Sequence, residues 1–337
     1  MKKFALIILS IFFVIALSVA YVGYRAFFAS NTQGETTYIF IHNGEGYDSL
    51  IESLEKSGSI LDMRSFKLVA SAEKLEESIK PGRYKISPGM NNRLLARTFK
   101  LGWQTPVNLT ISGNIRDMEK LASIVSSKIA SDSLSVVRAL TDETLIDSLG
   151  FNSYSFPSIF LLNTYEVYWT ISSADLVRRF KKEFDTFWDQ KRLQRAEEIG
   201  LTPIEVSTLA SIVAEESNIK AEHPVIAGVY INRLKIGMLL QADPTVKFAH
   251  KDPSIRRILY KHLEIDSPYN TYMYAGLPPG PIVLPSPEVI DSVLYHTEHK
   301  YLYFCAKATL DGSHNFAVTL EEHNRNAQQY QRAIGRL

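Results

Sequence analysis

Between Phe4 and Tyr24 lie 21 residues without a charge, FALIILSIFFVIALSVAYVGY, in which only Ser10, Ser18 and Gly23 are not apolar. As a helix at about 1.5 Å per residue this run is roughly 30 Å long, the thickness of a bilayer's hydrocarbon core. Lys2 and Lys3 ahead of it favour an N-terminus on the cytoplasmic side, with everything after Arg25 outside. A cleaved signal peptide is the competing reading. Its apolar region would cover about 7–15 residues and end at a small-x-small site, whereas Tyr21, Tyr24, Phe27 and Phe28 crowd the exit here. A lipoprotein signal needs a cysteine near that point, and the single cysteine of the chain is Cys305. The expectation is a cytoplasmic tip and transmembrane anchor over residues 1–28. A tether of small polar residues, ASNTQGET, follows over 29–36.

The remainder reads as globular. Lys+Arg is 37 and Asp+Glu 36, a net charge of +1 that lacks the basic excess of a nucleic-acid binder. Apolar residues at 45% and charged residues at 22% exclude a disordered or multi-span chain. The length of 337 residues predicts about two domains. One cysteine excludes an internal disulfide and a Cys-rich zinc site.

Hydrophobic periodicity and turn residues predict a strand over 37–42 and a helix from Tyr47 to Ser57 capped by Gly58. A second helix is expected around Arg64–Lys74, a strand over Arg83–Ile86 and a third helix over Asn91–Lys100. This order defines a small α+β module, 37–102. Beyond it, 107–111 reads as a strand, and 114–129, 135–149 and 174–200 each read as one helix. The segment 103–337 is expected to be a larger, mixed α+β domain.

The chemistry concentrates in Thr202–Gly237. Thr202-Pro203-Ile204-Glu205 is a capping box with proline at the first helical position. Along the helix Leu209, Ile212 and Val213 share an apolar face, and the next residue on it is Glu216. Glu215, rotated by about 100°, falls in line with Thr208 and Ser211 and is expected to be solvated. A carboxyl at the end of an apolar stripe has two readings. Either its stem packs and its head reaches water or a buried arginine, for which Arg233 is available, or it is a desolvated general acid with raised pKa. Ser217 is placed to hydrogen-bond it or a substrate. Ala227 and Gly228 would permit close packing of the next helix. Asp243 precedes Pro244, where a helix N-cap is the plain reading. Tyr301–Lys307 and Asn315–Thr319 predict a hairpin, and Thr319–Glu322 a second capping box. The histidine spacings fit no helical zinc site; no metal or cofactor is expected, and no serine or cysteine nucleophile has a signature.

Taken together, LASIVAEES (209–217), VIAGVYINRLKIGMLLQADPTV (225–246), SPYNTY (267–272), GLPPGPI (276–282), YLYF (301–304), HNF (314–316) and EHN (322–324) resemble the endolytic murein transglycosylases, the YceG-like (MltG) family. PGRYKISPGM (81–90) and NTYEVYW (163–169) match weaker patterns of that family. The resemblance implies a bacterial inner-membrane, single-pass enzyme that cuts peptidoglycan glycan strands between MurNAc and GlcNAc, leaves 1,6-anhydro ends and terminates nascent strands. It also implies a LysM-like module, matching 37–102, and cell-wall synthases as partners. The family's catalytic glutamate precedes Ser or Thr in a Glu-Lys-Glu-Thr-like motif, which is Glu216 here, with Ala214 and Glu215 in place of the preceding Glu-Lys. Upstream, Pro157-Ser158 stands where the family often has Glu-Gly. The resemblance and the polar character of the loops make Ser217, Gln241, Asp243, Thr245, Asn270, Tyr272 and Asn324 candidate substrate contacts. Two alternatives share these features: a non-catalytic peptidoglycan-binding scaffold, and a lysozyme-like hydrolase with Asp243 as second carboxylate.

Overall fold

The computed structural model describes residues 2–252 and 254–335. It is a mixed α+β structure with three two-stranded sheets and falls into two compact units. The first comprises the chain up to Leu109 with Lys128–Ser131 and Glu166–Ile171; the second comprises Thr110–Ser127, Asp132–Tyr165 and the chain from Ser172 onward.

The first unit opens with α1 (Lys2–Phe28), whose window Leu6–Phe28 is long and apolar enough to cross a membrane and is not buried against protein. Phe12, Val19 and Val22 are each more than 60% exposed. Large apolar side chains left in water forfeit about 1.5–3 kcal/mol each, so such a helix is suited to lipid. The elements β1 (Thr37–Ile41), α2 (Tyr47–Ser57), α3 (Met63–Ala72), β2 (Gly82–Ile86) and α4 (Asn92–Leu101) follow. β1 and β2 pair antiparallel, from Thr37↔Ile86 to Ile41↔Gly82. The two-residue alternation of β1 buries Ile39 and Ile41 against Leu50, Leu54, Phe66, Tyr84, Leu95 and Phe99. Gly58 takes the left-handed conformation (φ 61°) that ends α2.

The stretch expected to be a tether is partly built into this unit. Ser30 bridges to Asn91 and Thr32 to Ile60, and Asn31 and Thr32 are buried. Small polar residues suit solvated chain, but here their side chains satisfy buried backbone groups, Thr32 Oγ1 donating to Ser87 O at 2.8 Å and Asn31 Nδ2 to Asp62 O at 2.9 Å.

β3 (Val107–Thr110) pairs with β4 (Thr164–Val167), and the division between the units falls within these strands. The second unit holds α5 (Met118–Ser126), α6 (Ser133–Leu140), α7 (Glu143–Ser148), α8 (Ser173–Phe187), α9 (Gln190–Glu198), α10 (Pro203–Glu216), α11 (His223–Lys235), α12 (Asp243–His250), α13 (Pro287–Leu294), β5 (Tyr303–Ala306), β6 (His314–Ala317) and α14 (Leu320–Ile334). Two helices expected to be continuous are each broken by an aspartate that caps the second piece. Asp142 accepts from Leu145 N and Asp189 from Arg192 N, so 135–149 and 174–200 are helix pairs. Likewise 114–129 is helical only from Met118, where Asp117 caps α5.

At the centre, α10 packs against α11, α12 and α13. Every residue from Val206 to Val213 is buried. The polar line Thr208–Ser211 is therefore not solvated. Thr208 Oγ1 donates to Ile204 O at 2.8 Å, and Ser211 Oγ donates to Thr208 O at 2.7 Å and accepts from Ile282 N at 3.0 Å. Close packing at Gly228 is literal: a Cβ there would lie 2.6 Å from Thr297 O and 2.7 Å from His299 Nε2.

Candidate active site

The capping box starts α10 as the sequence predicts. Thr202 Oγ1 accepts from Glu205 N at 3.3 Å, and Glu205 Oε2 accepts from Thr202 N at 2.8 Å. Fourteen residues later the helix ends on Glu216, and Ser217 is already extended. A fixed start and a fixed length thus set where the last side chain emerges. A second clamp holds this end. Ser217 Oγ donates to Glu222 Oε2 at 3.0 Å, and the Glu222 carboxylate also meets His314 Nδ1 at 2.7 Å and the His314 backbone N–H at 2.8 Å. Burial raises the Glu222 pKa, but hydrogen bonds from His314 and Ser217 outweigh it and the net direction is down.

Glu216 faces a cavity of about 330 Å³, shared with Tyr230, Arg233, Gln241, Asp243, Tyr272, Tyr303 and His323. Tyr230, buried on α11, donates its hydroxyl to Glu216 Oε1 at 2.6 Å. Across the cavity Tyr272 donates to Asp243 Oδ1, also at 2.6 Å. Arg233 does not pair with Glu216. Its Nε donates to Leu302 O at 2.6 Å and its Nη1 to Leu240 O at 2.7 Å, and its guanidinium lies 5.4 Å from the Tyr303 ring centroid. Its charge is thereby held by carbonyl dipoles behind the cavity.

Desolvation lifts the Glu216 pKa from 4.5 to about 7; the Tyr230 hydrogen bond opposes this and the nearby Asp243 adds to it. Loss of water therefore outweighs a hydrogen bond to a charged acceptor, itself worth about 1.5–3 kcal/mol. Burial raises Tyr230 far above the ordinary phenol range, and burial and Asp243 raise Tyr272; both remain hydrogen donors. A carboxyl poised near neutrality can give up a proton and take one back with little penalty in either direction. A larger hollow, about 580 Å³ among Arg116, Asp117, Lys247 and Lys251, contains neither Glu216 nor Asp243.

Glu215 corrects the sequence expectation. It is 14% exposed and ion-paired to Arg116, with Asn114 donating to its other oxygen. The helix periodicity was right about its angle, but the segment carrying Asn114 and Arg116 covers that side of α10. Of the candidate contacts, Gln241, Asp243 and Tyr272 line the cavity with Glu216. Gln241 does so from a left-handed backbone (φ 49°), held by its N–H on Thr271 O at 3.0 Å. Asp243 is the first residue of α12 and caps nothing; Ala242 occupies the cap position.

The other candidates lie elsewhere. Ser217 is buried in the Glu222 clamp. Thr245, fully buried, bonds Ala242 O and Thr271 Oγ1. Asn270, fully buried, donates to Leu263 O and Ile265 O at 2.8 Å each. These two hold the loop that presents Tyr272 and Gln241. Asn324 is exposed on α14, and His323 beside it is the residue that lines the cavity. Ser158, at the Pro157-Ser158 departure, is buried within a short 3₁₀ turn. Sequence reasoning did not single out Tyr230, Tyr303 and His323 as site residues. Seven residues, about two helical turns, separate Tyr230 from His223 at the start of α11, but nothing in the periodicity pairs Tyr230 with a carboxyl on another helix.

The model of the YceG-like family matches residues 39–329. The chain is 29% identical over 320 residues to the endolytic murein transglycosylase of Bacillus subtilis, covering 88% of this chain and 85% of that protein. It is 36% identical over 135 residues to the endolytic murein transglycosylase of Streptococcus pneumoniae, covering 39% of this chain and 24% of the other. A crystal structure of a yceG-like protein from Listeria monocytogenes superposes with a TM-score of 0.56 at 25% identity, covering 86% of this chain and 98% of that one. With the family pattern running through both units and across the segments that build the Glu216 cavity, this chain belongs to the YceG-like family.

Proposed function

We propose that the chain is an endolytic murein transglycosylase, a lyase that cuts peptidoglycan glycan strands between MurNAc and GlcNAc, and that Glu216 is its catalytic residue. The observation that carries this reading is the Glu216 carboxyl, open to a cavity yet desolvated enough to hold its proton to about pH 7. The names borne by the Bacillus and Streptococcus relatives support the substrate. Glu216 protonates the oxygen leaving C1 of N-acetylmuramic acid, and the C1–O bond breaks. The resulting carboxylate takes the proton of that sugar's C6 hydroxyl, and the C6 oxygen bonds to C1, giving a 1,6-anhydro end. No water enters, and the enzyme returns to its protonated form. Asp243 faces the positive charge that builds at C1, and Gln241, Tyr272 and Tyr303 contact the sugars.

In the wider reading α1 is a single-pass anchor in the cytoplasmic membrane with its N-terminus inside. The module over 37–102 is LysM-like and binds glycan, and cleavage ends nascent strands beside the synthases. The β1–α2–α3–β2 order supports the module's assignment. A hydrolase using Asp243 as second carboxylate is the second reading, favoured by its place in the same cavity. Digestion of purified glycan strands by the full-length protein in detergent separates them. Transglycosylase products resist borohydride and are one water lighter than hydrolysis products. Predominantly reducible ends would transfer the assignment to the hydrolase, and intact strands would leave a binding scaffold.

A further inference from the structure

We propose that the module carrying β1, β2 and α2–α4 stands directly on the bilayer surface through a rigid junction with α1, and that the groove at this junction takes phospholipid headgroups. The inference rests on α1 being a membrane anchor.

The junction is built from buried amides. Asn31 Nδ2 donates to Asn92 Oδ1 at 2.6 Å and to Asp62 O at 2.9 Å, while Asn31 Oδ1 accepts from Asp62 N at 2.8 Å. Asn92 Nδ2 reaches Ala26 O in the last turns of α1 at 2.9 Å and Ser65 Oγ at 3.0 Å. The backbone continues the lock, with Asn31 N on Met90 O at 2.8 Å and Leu61 N on Asn31 O at 2.9 Å. Asn31 and Asn92 are 5% and 1% exposed. Opening such a joint exchanges several of these hydrogen bonds for water at once, each at a net cost of about 0.5–1.5 kcal/mol. The module therefore cannot swing freely about the helix end.

The same joint fixes depth. A groove of about 440 Å³ is lined on one side by Tyr21, Val22 and Arg25 of α1, and on the other by Leu61, Asp62 and Ser65. From Tyr21 to Phe28 the helix rises only about 10 Å, and the headgroup layer is roughly 5–8 Å thick on each face. With Tyr21 and Tyr24 at the interface, as aromatic belts sit, Leu61 and Ser65 fall at headgroup level. The chemistry there suits that layer. Leu61 and Leu68 are 55% and 60% exposed, and the exposed Arg64 lies one helical turn before Leu68 on α3. Among the described residues neither Arg25 nor Arg64 has an ion-pair partner. Exposed leucines interleaved with free arginines are the pattern of a surface that dips into an anionic interface. The Asp62 carboxylate is occupied as the cap of α3, accepting from Arg64 N and Ser65 N.

The test uses the full chain in phosphatidylglycerol-containing vesicles, in a Cys305→Ser background, with one fluorophore at Leu61→Cys, Asn43→Cys or Val14→Cys. Asn43 lies past the far end of β1, a strand about 16 Å long that leads away from the Thr32–Ile60 bridge. Lipids with a nitroxide on the headgroup should quench the Leu61 label several-fold more than the Asn43 label, and a chain-terminal nitroxide should quench Val14. Pairing Asn31→Ala with Asn92→Ala should bring the Leu61 signal toward that of Asn43 while far-UV circular dichroism is retained. Val14 quenched with Leu61 no different from Asn43 would overturn the docking proposal and leave the anchor standing. An unquenched Val14 would overturn the anchor reading itself.

Discussion

Replacing Glu216 by glutamine should make the protein more stable, and only toward alkaline pH. In the folded chain the Glu216 pKa is raised from 4.5 to about 7. A raised carboxyl pKa means that the fold binds the proton more tightly than the unfolded chain does. Stability is therefore intact below about pH 4.5 and is lost as the pH climbs toward 7. Two and a half pH units at about 1.36 kcal/mol each give roughly 3 kcal/mol withheld above neutrality. Glutamine is isosteric, its amide oxygen can still accept from Tyr230, and it has no charge to desolvate. Glu216→Gln should thus match wild type at about pH 4 and exceed it by about 2–3 kcal/mol at about pH 8, while losing nearly all glycan cleavage. Urea unfolding of the full-length protein at both pH values measures this. Trp188, buried in the second unit, supplies a local fluorescence probe. A stability difference that stays constant between the two pH values would refute the claim that this carboxyl is desolvated, and with it the argument that it is the acid.

Tyr230→Phe removes the 2.6 Å hydrogen bond that opposes desolvation. The alkaline limb of the pH–rate profile should move up by about 1–2 pH units, and a limb that moves down would contradict the sign. Glu215→Gln should keep most of its cleavage activity in a glycan digest but lower the unfolding midpoint by breaking the Arg116 pair, at a cost on the order of 1 kcal/mol. Gly228→Ala should cost about 1–3 kcal/mol in the same unfolding assay, because its Cβ has 2.6 Å to the Thr297 carbonyl.

Glu216 was legible because helical period is a local property: three apolar residues on one face determine the angle of the fourth. Its surroundings were not, because Tyr230, Asp243, Tyr272, Tyr303 and His323 come from five separate segments, and no spacing along the chain encodes their meeting. Ser217, Thr245 and Asn270 show a second limit. A polar side chain that satisfies buried backbone and one that faces a ligand have the same one-letter code, and here the loops needed the former. For residues 30–32 the tether expectation meets the same limit. Ser30, Asn31 and Thr32 have the composition of solvated linker, yet two of them are among the buried hydrogen-bonding residues of the first unit. Strand order and capping in that unit followed from turn residues, whose effect is confined to three or four positions. The breaks at Asp142 and Asp189 were missed because apolar spacing runs on across both of them.

Glu216 is the last residue of α10. The carbonyls at a helix's C-terminal end form the negative pole of its dipole and disfavour an anion there, by about 0.3–1 kcal/mol in an exposed setting and more in a shielded one. The free N–H groups at helix starts hold carboxylates in their charged form; a carboxyl at the opposite pole is biased toward the neutral one. The bias comes from the backbone alone, and it grows as water is excluded from the cavity. Once its proton has left, the anion sits at the pole that repels it, and recapturing a proton relieves that repulsion. Lengthening α10 by one turn would carry position 216 away from the pole and remove that part of the bias, while the desolvation that dominates the Glu216 pKa would remain.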